Sequence, residues 1–247
     1  MNDKTETFYD INPFNFGYED EDEVINNMNN NLKKIIKKNK DNAIYDIGCG
    51  CGRNLIFCLR YSDSVYGVDS SRRSLNYTKE FLKNDKLKLI LANNLSLPFE
   101  DEVADLVISD GVIHHTGDTL KSFCECVRIL KKNGILYLAV YKKWRYYPIL
   151  YHSLGLFFRM LNKFSLGKIF IENVFVRIHF LLYKLFKNKD LRIHETRNIF
   201  YDYFITPIAT FQSKKTVLNW IKKENCTLDV YDKTKGNCHI FVIKKNE

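Results

Sequence analysis

Residues 43–54 read Ala-Ile-Tyr-Asp-Ile-Gly-Cys-Gly-Cys-Gly-Arg-Asn. A short apolar run contains an acid, glycine then takes every second position, and an apolar pattern suited to a helix resumes at 55–59. Glycine permits backbone angles that a Cβ forbids, and it allows a ligand to lie against the main chain. The pattern predicts a strand, a tight turn and a helix, an arrangement that commonly binds nucleotides in α/β proteins.

The spacing of these glycines indicates which class of nucleotide the turn could bind. A dinucleotide-binding turn follows Gly-x-Gly-x-x-Gly, which would require its third glycine at position 53. Arg53 stands there instead, and the third glycine comes one residue earlier. Glycine-rich turns also occur without any ligand, so the turn alone leaves a purely structural interpretation open.

Beyond the turn, short apolar segments alternate with helical patterns. Strands are predicted at 43–47, 64–68, 86–91, 104–109, 135–141, 226–231 and 239–244, and helices at 22–38, 54–60, 71–82, 118–131 and 214–224. This alternation predicts an α/β fold with a doubly wound, mostly parallel seven-stranded sheet and helices on both faces.

Several motifs follow the glycine turn in a fixed order. They are Asp69 at the end of the second strand, a loop over 93–99 that ends in Leu-Pro-Phe, a fourth strand leading into His114-His115, and a Lys-Asn-Gly turn into the fifth strand. Together with Asp46-x-Gly48-x-Gly50-x-Gly52, they resemble the class I S-adenosylmethionine-dependent methyltransferases of the small-molecule type across residues 43–141.

The resemblance implies a site for S-adenosyl-L-methionine at the carboxyl ends of the strands. It assigns cofactor contacts to the glycine turn, the end of the second strand, the loop after the third and the end of the fourth: Asp46, Gly48, Cys49, Gly50, Arg53, Asn54, Asp69, Ser70, Asn93, Asn94, Leu95, Ser109 and Asp110.

Three of these residues have alternative interpretations. Asp69 would accept hydrogen bonds from the ribose hydroxyls, or it could cap the next helix, a role that Ser70 or Ser71 fits equally well. Arg53 would pair with the methionine carboxylate, or it could be a solvated residue of the first helical turn. Asn93 stands where the family usually has an aspartate, and its carbonyl oxygen can still accept from the adenine amino group.

Methyl transfer needs alignment and exclusion of water more than a fixed catalytic residue. If the acceptor is a hydroxyl or an acidic carbon, a base helps, and His115 is the candidate catalytic residue. The alternative is that both histidines only pack at the end of a strand. No metal is expected, because the scattered cysteines lack a ligand spacing, and their odd number predicts reduced thiols in a cytoplasm.

The net charge of +9 is concentrated in one segment, since residues 142–192 contain eleven Lys/Arg and two acids. Two apolar runs there predict two amphipathic helices, because the longest charge-free stretch has 13 residues and a membrane span needs about 20.

We expect residues 1–141 to form an N-terminal arm and the cofactor-binding half, 142–212 a helical insert covering the acceptor, and 213–247 the end of the sheet. Basic amphipathic helices also predict peripheral contact with anionic lipid.

The predicted function is methyl transfer to a small-molecule acceptor, such as a glycan or lipid-linked intermediate, in the cytoplasm or at the inner face of its membrane. Two alternatives stay open. One is a peripheral membrane-binding module that retains a cofactor-binding fold. The other is a nucleic-acid methyltransferase, which is disfavoured because no Asn/Asp-Pro-Pro-Tyr/Phe motif follows the fourth strand. Residues 1–21 are either a flexible arm or a segment that folds over the cofactor, and the oligomeric state is left open.

Overall fold

The structure is a computed structural model that describes residues 3–14, 21–186 and 192–247. Phe16 and Tyr18 of the predicted arm, and Lys187, Lys189 and Asp190 of the basic segment, lie outside the described residues. The described residues form two compact units. The first comprises residues up to 13, 21–143 and 208–247, and the second comprises Phe14 and the described residues between 144 and 207.

Seven strands form the sheet of the first unit. They are β1 Ile44–Ile47, β2 Val65–Asp69, β3 Leu87–Leu91, β4 Ala104–Asp110, β5 Leu130–Tyr141, β6 Cys226–Asp232 and β7 Cys238–Lys245, in the order β3-β2-β1-β4-β5-β7-β6. The first five are parallel, and β7 runs antiparallel to both of its neighbours. The predicted α/β fold with a mostly parallel seven-stranded sheet is therefore confirmed.

Six helices in the described part of the first unit lie before and between its first five strands. They are α1 Asp3–Ile11, α2 Glu21–Asn27, α3 Asn30–Lys38, α4 Arg53–Cys58, α5 Arg72–Leu82 and α6 Thr119–Arg128. The single helix predicted over 22–38 is wrong, because the chain breaks at Asn29. The Asn29 side chain accepts hydrogen bonds from the backbone N–H groups of Asn31 and Leu32, so it starts a new helix there.

Strand β5 begins earlier than predicted. Leu130 already pairs with Ala104 of β4, whereas the sequence pattern places the start of the strand at 135. The register shifts between Ala104 and Leu106, and Asn133 has a positive φ of 64°. The predicted turn at Asn133-Gly134 is thus an irregularity inside the strand.

The second unit is helical. It contains α7 Tyr146–His152, α8 Leu154–Leu161, α9 Ser165–Phe170, α10 Val176–Phe186 and α11 Ile193–Phe200, with wider π turns at Ile171–Phe175 and Tyr201–Ile205. Two amphipathic helices were too few for residues 142–192, because the chain breaks at Ser153 and the first run forms two short helices. Among the described residues, no helix is both long and apolar enough to cross a bilayer.

The chain returns to the first unit at residue 208. The backbone N–H of Gln212 donates to the carbonyl of Tyr141, and that of Lys143 donates to the carbonyl of Gln212. These bonds join residues 208–212 to the end of β5, so the helical unit spans 144–207 where the sequence pattern suggested 142–212. Helix α12, Lys214–Lys223, then leads into β6.

Candidate functional site

The glycine turn follows β1 directly. Gly48, Gly50 and Gly52 have φ of 78°, 53° and 86°, a left-handed region that favours glycine. The N–H groups of Gly48 and Cys49 donate to the Val68 carbonyl at 2.7 and 3.0 Å, which fixes the turn against the end of β2. A Cβ on Gly48 would overlap the Val112 side chain, whereas one on Gly50 would meet no atom within 4 Å. The turn is therefore packed at its first glycine and open at its second.

Asp69 joins the glycine turn to the start of α5. One carboxylate oxygen accepts the Gly50 N–H at 2.8 Å, and the other accepts the Ser71 N–H at 2.8 Å. The N-cap of α5 is Ser71, whose hydroxyl accepts the Ser74 N–H, so the capping alternative for Asp69 and Ser70 is wrong. Burial raises the pKa of the Asp69 carboxyl, and the backbone N–H groups of Ser71 and Gly50 oppose that rise.

Arg53 forms an ion pair that the sequence did not predict. Its guanidinium lies 2.6 Å from a carboxylate oxygen of Asp110, so the first turn of α4 is linked to the end of β4. The guanidinium is 43% exposed and the carboxylate 21%, which leaves both accessible to a further partner. Arg53 is therefore both partly solvated and paired, and its contact with the methionine carboxylate stays a prediction.

Several predicted site residues have a buried polar atom without a hydrogen-bond partner. Of the thirteen such atoms in the described residues, four belong to this set: one Asp46 carboxylate oxygen, the carbonyl oxygens of Asn54 and Asn94, and the Ser109 hydroxyl. The hydroxyl of Tyr137 on β5 is also buried without a hydrogen-bond partner, and no sequence motif indicated this residue. Buried polar groups are costly unless they are hydrogen-bonded, so this set suits a polar ligand.

The Asp46 carboxyl is 1% exposed, and its burial raises its pKa to about 7, with a further contribution from the charge of Asp110. A raised pKa in the folded state means that folding stability falls as the pH rises from about 4 to about 7. We expect a loss on the order of 2–4 kcal/mol over this range, which Asp46→Asn should largely remove. Urea unfolding at a series of pH values measures it, with the exposed Asp85→Asn as control. An equal slope in Asp46→Asn and the native protein would contradict the prediction.

The loop after β3 is held by its own side chains. The Asn93 carbonyl oxygen accepts the Leu95 N–H at 2.9 Å, an Asx turn, and so already uses one of its two lone pairs. The Leu97 N–H donates to Glu125 at 2.7 Å, and the guanidinium of Arg128 binds the same carboxylate. Glu125 and Arg128 hold the loop from α6, a contact that spacing along the chain could not indicate.

The two histidines after β4 differ in their surroundings. His114 is fully buried, and its ring lies 3.7 Å from that of Tyr141. Burial lowers the pKa of His114 well below its usual value, so its ring stays neutral and only the packing interpretation suits it.

His115 is oriented by a backbone carbonyl. Its Nδ1 lies 2.7 Å from the Ile208 oxygen. Because a carbonyl only accepts hydrogen bonds, Nδ1 carries the proton, and Nε2 is the nitrogen with the lone pair when the ring is neutral. The Tyr9 ring of α1 lies 5.9 Å away, edge-on. This geometry leaves His115 able to accept a proton through Nε2.

Helix α1 is attached to the start of α5. The Asp10 carboxylate accepts hydrogen bonds from the Ser71 hydroxyl and the Arg73 N–H, both at 3.0 Å. The Arg73 N–H bond lowers the pKa of Asp10. Residues 3–11 are therefore an ordered helix and not a flexible arm, and α1 brings Tyr9 beside His115.

The cysteines are all free thiols. Burial raises the pKa of Cys49 well above its usual value and that of Cys51 to about 12, so both thiols of the glycine turn stay protonated. Among the described residues, no group of three or more histidine, cysteine or acidic side chains is placed to hold a metal ion.

The central segment of the chain is similar to known proteins. Residues 45–138 match the family model of a methyltransferase domain. A ubiquinone biosynthesis O-methyltransferase of Pelagibacter ubique is 27% identical over 143 residues, which are 58% of each protein. A probable tRNA methyltransferase 9B of Homo sapiens is 30% identical over 114 residues, 44% of this chain and 24% of that protein. Both matches cover less than two thirds of the relative's length.

Solved structures share the fold. The crystal structure of a putative S-adenosylmethionine dependent methyltransferase from Listeria monocytogenes superposes with a TM-score of 0.59 at 12% identity. The match covers 88% of this chain and 97% of that one. At this level of identity the likeness establishes the fold alone.

Proposed function

We propose that this chain, whose residues 45–138 match the family model of a methyltransferase domain, transfers a methyl group from S-adenosylmethionine to a small-molecule acceptor. The observation that carries the proposal is the joined arrangement of the glycine turn and Asp69 beside open space at Gly50. The match of the central segment to that family model supports the choice of cofactor, and the one-residue departure from dinucleotide spacing argues against NAD.

The residues present fit S-adenosylmethionine chemically. Asp69 offers acceptor-only oxygens to ribose hydroxyls, and Asp46 and Asn54 hold unpartnered acceptor oxygens beside the turn. Asn94 and Ser109 add unpartnered polar atoms from the loop after β3 and from β4. The roles of Gly48, Cys49, Ser70, Asn93 and Leu95 as cofactor contacts stay part of the proposal, as does a contact from the Arg53–Asp110 pair.

The chain contributes to the reaction by alignment and by proton removal. S-adenosylmethionine, when bound, would supply an electrophilic methyl group on a sulfonium whose sulfur is the leaving group. We assign His115 to the acceptor proton, which Nε2 takes while the Ile208 carbonyl holds Nδ1–H. His114 stays neutral and packs.

The acceptor class is the finer part of the proposal. We favour an apolar or lipid-linked molecule, a glycan or quinone precursor among them, because large apolar side chains are exposed along α7–α10. The relative whose name includes ubiquinone biosynthesis fits this choice. That residues 142–212 cover the acceptor, and that the protein works in the cytoplasm or at the inner face of its membrane, stay predictions.

RNA is the second candidate acceptor. A relative bears the name of a probable tRNA methyltransferase, and the chain carries a net charge of +9. Against this, the motif typical of enzymes that methylate base amino groups is missing after β4, where Asp110 is followed by Gly-Val-Ile. A small molecule is therefore the acceptor that we favour over RNA.

Calorimetry and a transfer assay test the proposal together. We expect S-adenosylmethionine and its demethylated product to bind with one site per chain, and NAD to bind much more weakly. Radiolabelled methyl groups should then pass to phenolic quinone precursors or a lipid extract more readily than to tRNA. Binding of NAD in preference to the methyl donor would overturn the cofactor assignment. Transfer to tRNA alone would overturn the acceptor class and leave the cofactor intact.

A further inference from the structure

Exposed large apolar side chains are concentrated in one part of the described chain. Residues 144–186 contain 16 of the 21 such side chains, although they are less than a fifth of the sequence. Soluble proteins expose single apolar side chains routinely, but a concentration of this size indicates an interaction surface. The members are Trp144, Tyr146, Ile149, Leu154, Leu156, Phe157, Met160, Phe164, Leu166, Ile169, Phe170, Ile178, Leu181, Leu182, Leu185 and Phe186.

Helical spacing arranges these side chains in stripes. On α10, Ile178, Leu181, Leu182 and Leu185 are three or four residues apart, so they share one face, and each is at least 47% exposed. Leu166, Ile169 and Phe170 repeat the spacing on α9. We call these two stripes, with Leu156, Met160 and Phe164 of α8 and the segment after it, the apolar face.

The apolar face is not the core of the helical unit. That core is built from other side chains, Phe158, Ile171 and Val176 among them, which are at most 6% exposed. The Phe158 ring lies within 5.5 Å of the rings of Phe200 and Phe204. The helices therefore bury one side within their own unit and expose a second apolar side.

The exposed charged side chains near the apolar face are basic. Lys168, Arg177 and Lys184 are exposed on α9 and α10, and Lys163 is exposed in the segment between α8 and α9. The only acid in residues 144–186 is Glu172, whose carboxylate binds the Arg197 guanidinium at 2.8 Å and the Tyr201 hydroxyl at 2.7 Å. The charge that remains available is positive.

We propose that the apolar face of α8–α10 lies on a membrane surface that contains anionic lipid. Apolar stripes enter the boundary between headgroups and acyl chains, and long basic side chains extend to the phosphates. The exposed Trp144 and Tyr146 suit the same boundary. A second copy of the chain would fit less well, because two such faces would bring like charges together. This inference goes beyond methyl transfer and does not depend on it.

Sedimentation of the full chain with vesicles tests the proposal. We expect binding to vesicles of phosphatidylcholine with phosphatidylglycerol, much weaker binding to phosphatidylcholine alone, and a decline with salt. The double variant Lys168→Gln/Lys184→Gln should bind roughly 10- to 30-fold more weakly, since each basic residue near the surface contributes about fivefold. The matched control Lys222→Gln/Lys223→Gln removes the same charge from α12 and should bind as the native protein does.

A second pair of variants tests the apolar contribution. Leu181→Asp, at a side chain 58% exposed, should lose vesicle binding and remain folded, whereas Leu120→Asp on α6 should keep it. A native protein that ignores anionic vesicles at low salt, or that binds both vesicle types equally, would overturn the proposal. So would self-association in the ultracentrifuge that Leu181→Asp abolishes while vesicle binding is unchanged. Calorimetry of each variant measures its affinity for S-adenosylmethionine. A failure of membrane binding can then be told apart from a failure of the proposed function.

Discussion

Replacing Asp69 with alanine should lower the affinity for S-adenosylmethionine by about 10²–10⁴-fold. The carboxylate is expected to accept two hydrogen bonds from the ribose, and hydrogen bonds to a charged group contribute about 1.5–3 kcal/mol each. Calorimetry measures the change directly. Unchanged affinity in a folded Asp69→Ala protein would contradict the assignment of Asp69 to the cofactor.

The structure gives Asp69 a second role that the experiment must separate from the first. Its carboxylate accepts the N–H groups of Gly50 and Ser71, so its loss also loosens the turn. Ser71→Ala is the matched control, because it removes the α5 cap beside Asp69 and the hydrogen bond to Asp10 of α1, and leaves the Asp69 carboxylate in place. We expect Ser71→Ala to cost about 1 kcal/mol of stability and little cofactor affinity. If both variants lost affinity equally, Asp69 would act only through the local structure.

The sequence predicted the parts of the fold that depend on neighbouring residues. The strand, glycine turn and helix at 43–58 follow from an apolar run and residues that favour left-handed angles, and the structure has all three. Prediction failed where a polar side chain interrupts a helical pattern. Asn29 separates α2 from α3, and the Ser153 hydroxyl donates to the Ile149 carbonyl at 2.7 Å where α7 ends. In the sequence, both residues are compatible with a continuous helix. Only their hydrogen bonds in the structure show that the helix ends there.

The candidate site could be predicted as a set of residues but not as a set of contacts. Arg53 and Asp110 were both assigned to the cofactor from separate motifs, yet they are 57 positions apart in the sequence and nothing in either motif indicates an ion pair. Ile208 lies 93 residues after His115 and belongs to no motif, although its carbonyl fixes the histidine tautomer. Such contacts depend on the way strands and loops meet in space, which local patterns do not encode.

His115→Ala should lower turnover by about 10²–10⁴-fold if the imidazole removes the acceptor proton. The affinity for S-adenosylmethionine should barely change, because the proposal places His115 toward the acceptor. Turnover is measured with whichever acceptor the transfer assay identifies, and calorimetry gives the cofactor affinity. His114→Phe is the control for packing, since it preserves an aromatic ring against Tyr141 and should retain most of the activity.

The variant His115→Asn separates proton removal from positioning. Its amide nitrogen can stand in for Nδ1 and donate to the Ile208 carbonyl, but it has no basic nitrogen where Nε2 was. If His115 is the base, His115→Asn should be as slow as His115→Ala. If His115→Asn instead turns over at nearly the native rate, the residue serves to hold the Ile208 segment, and the acceptor loses its proton elsewhere.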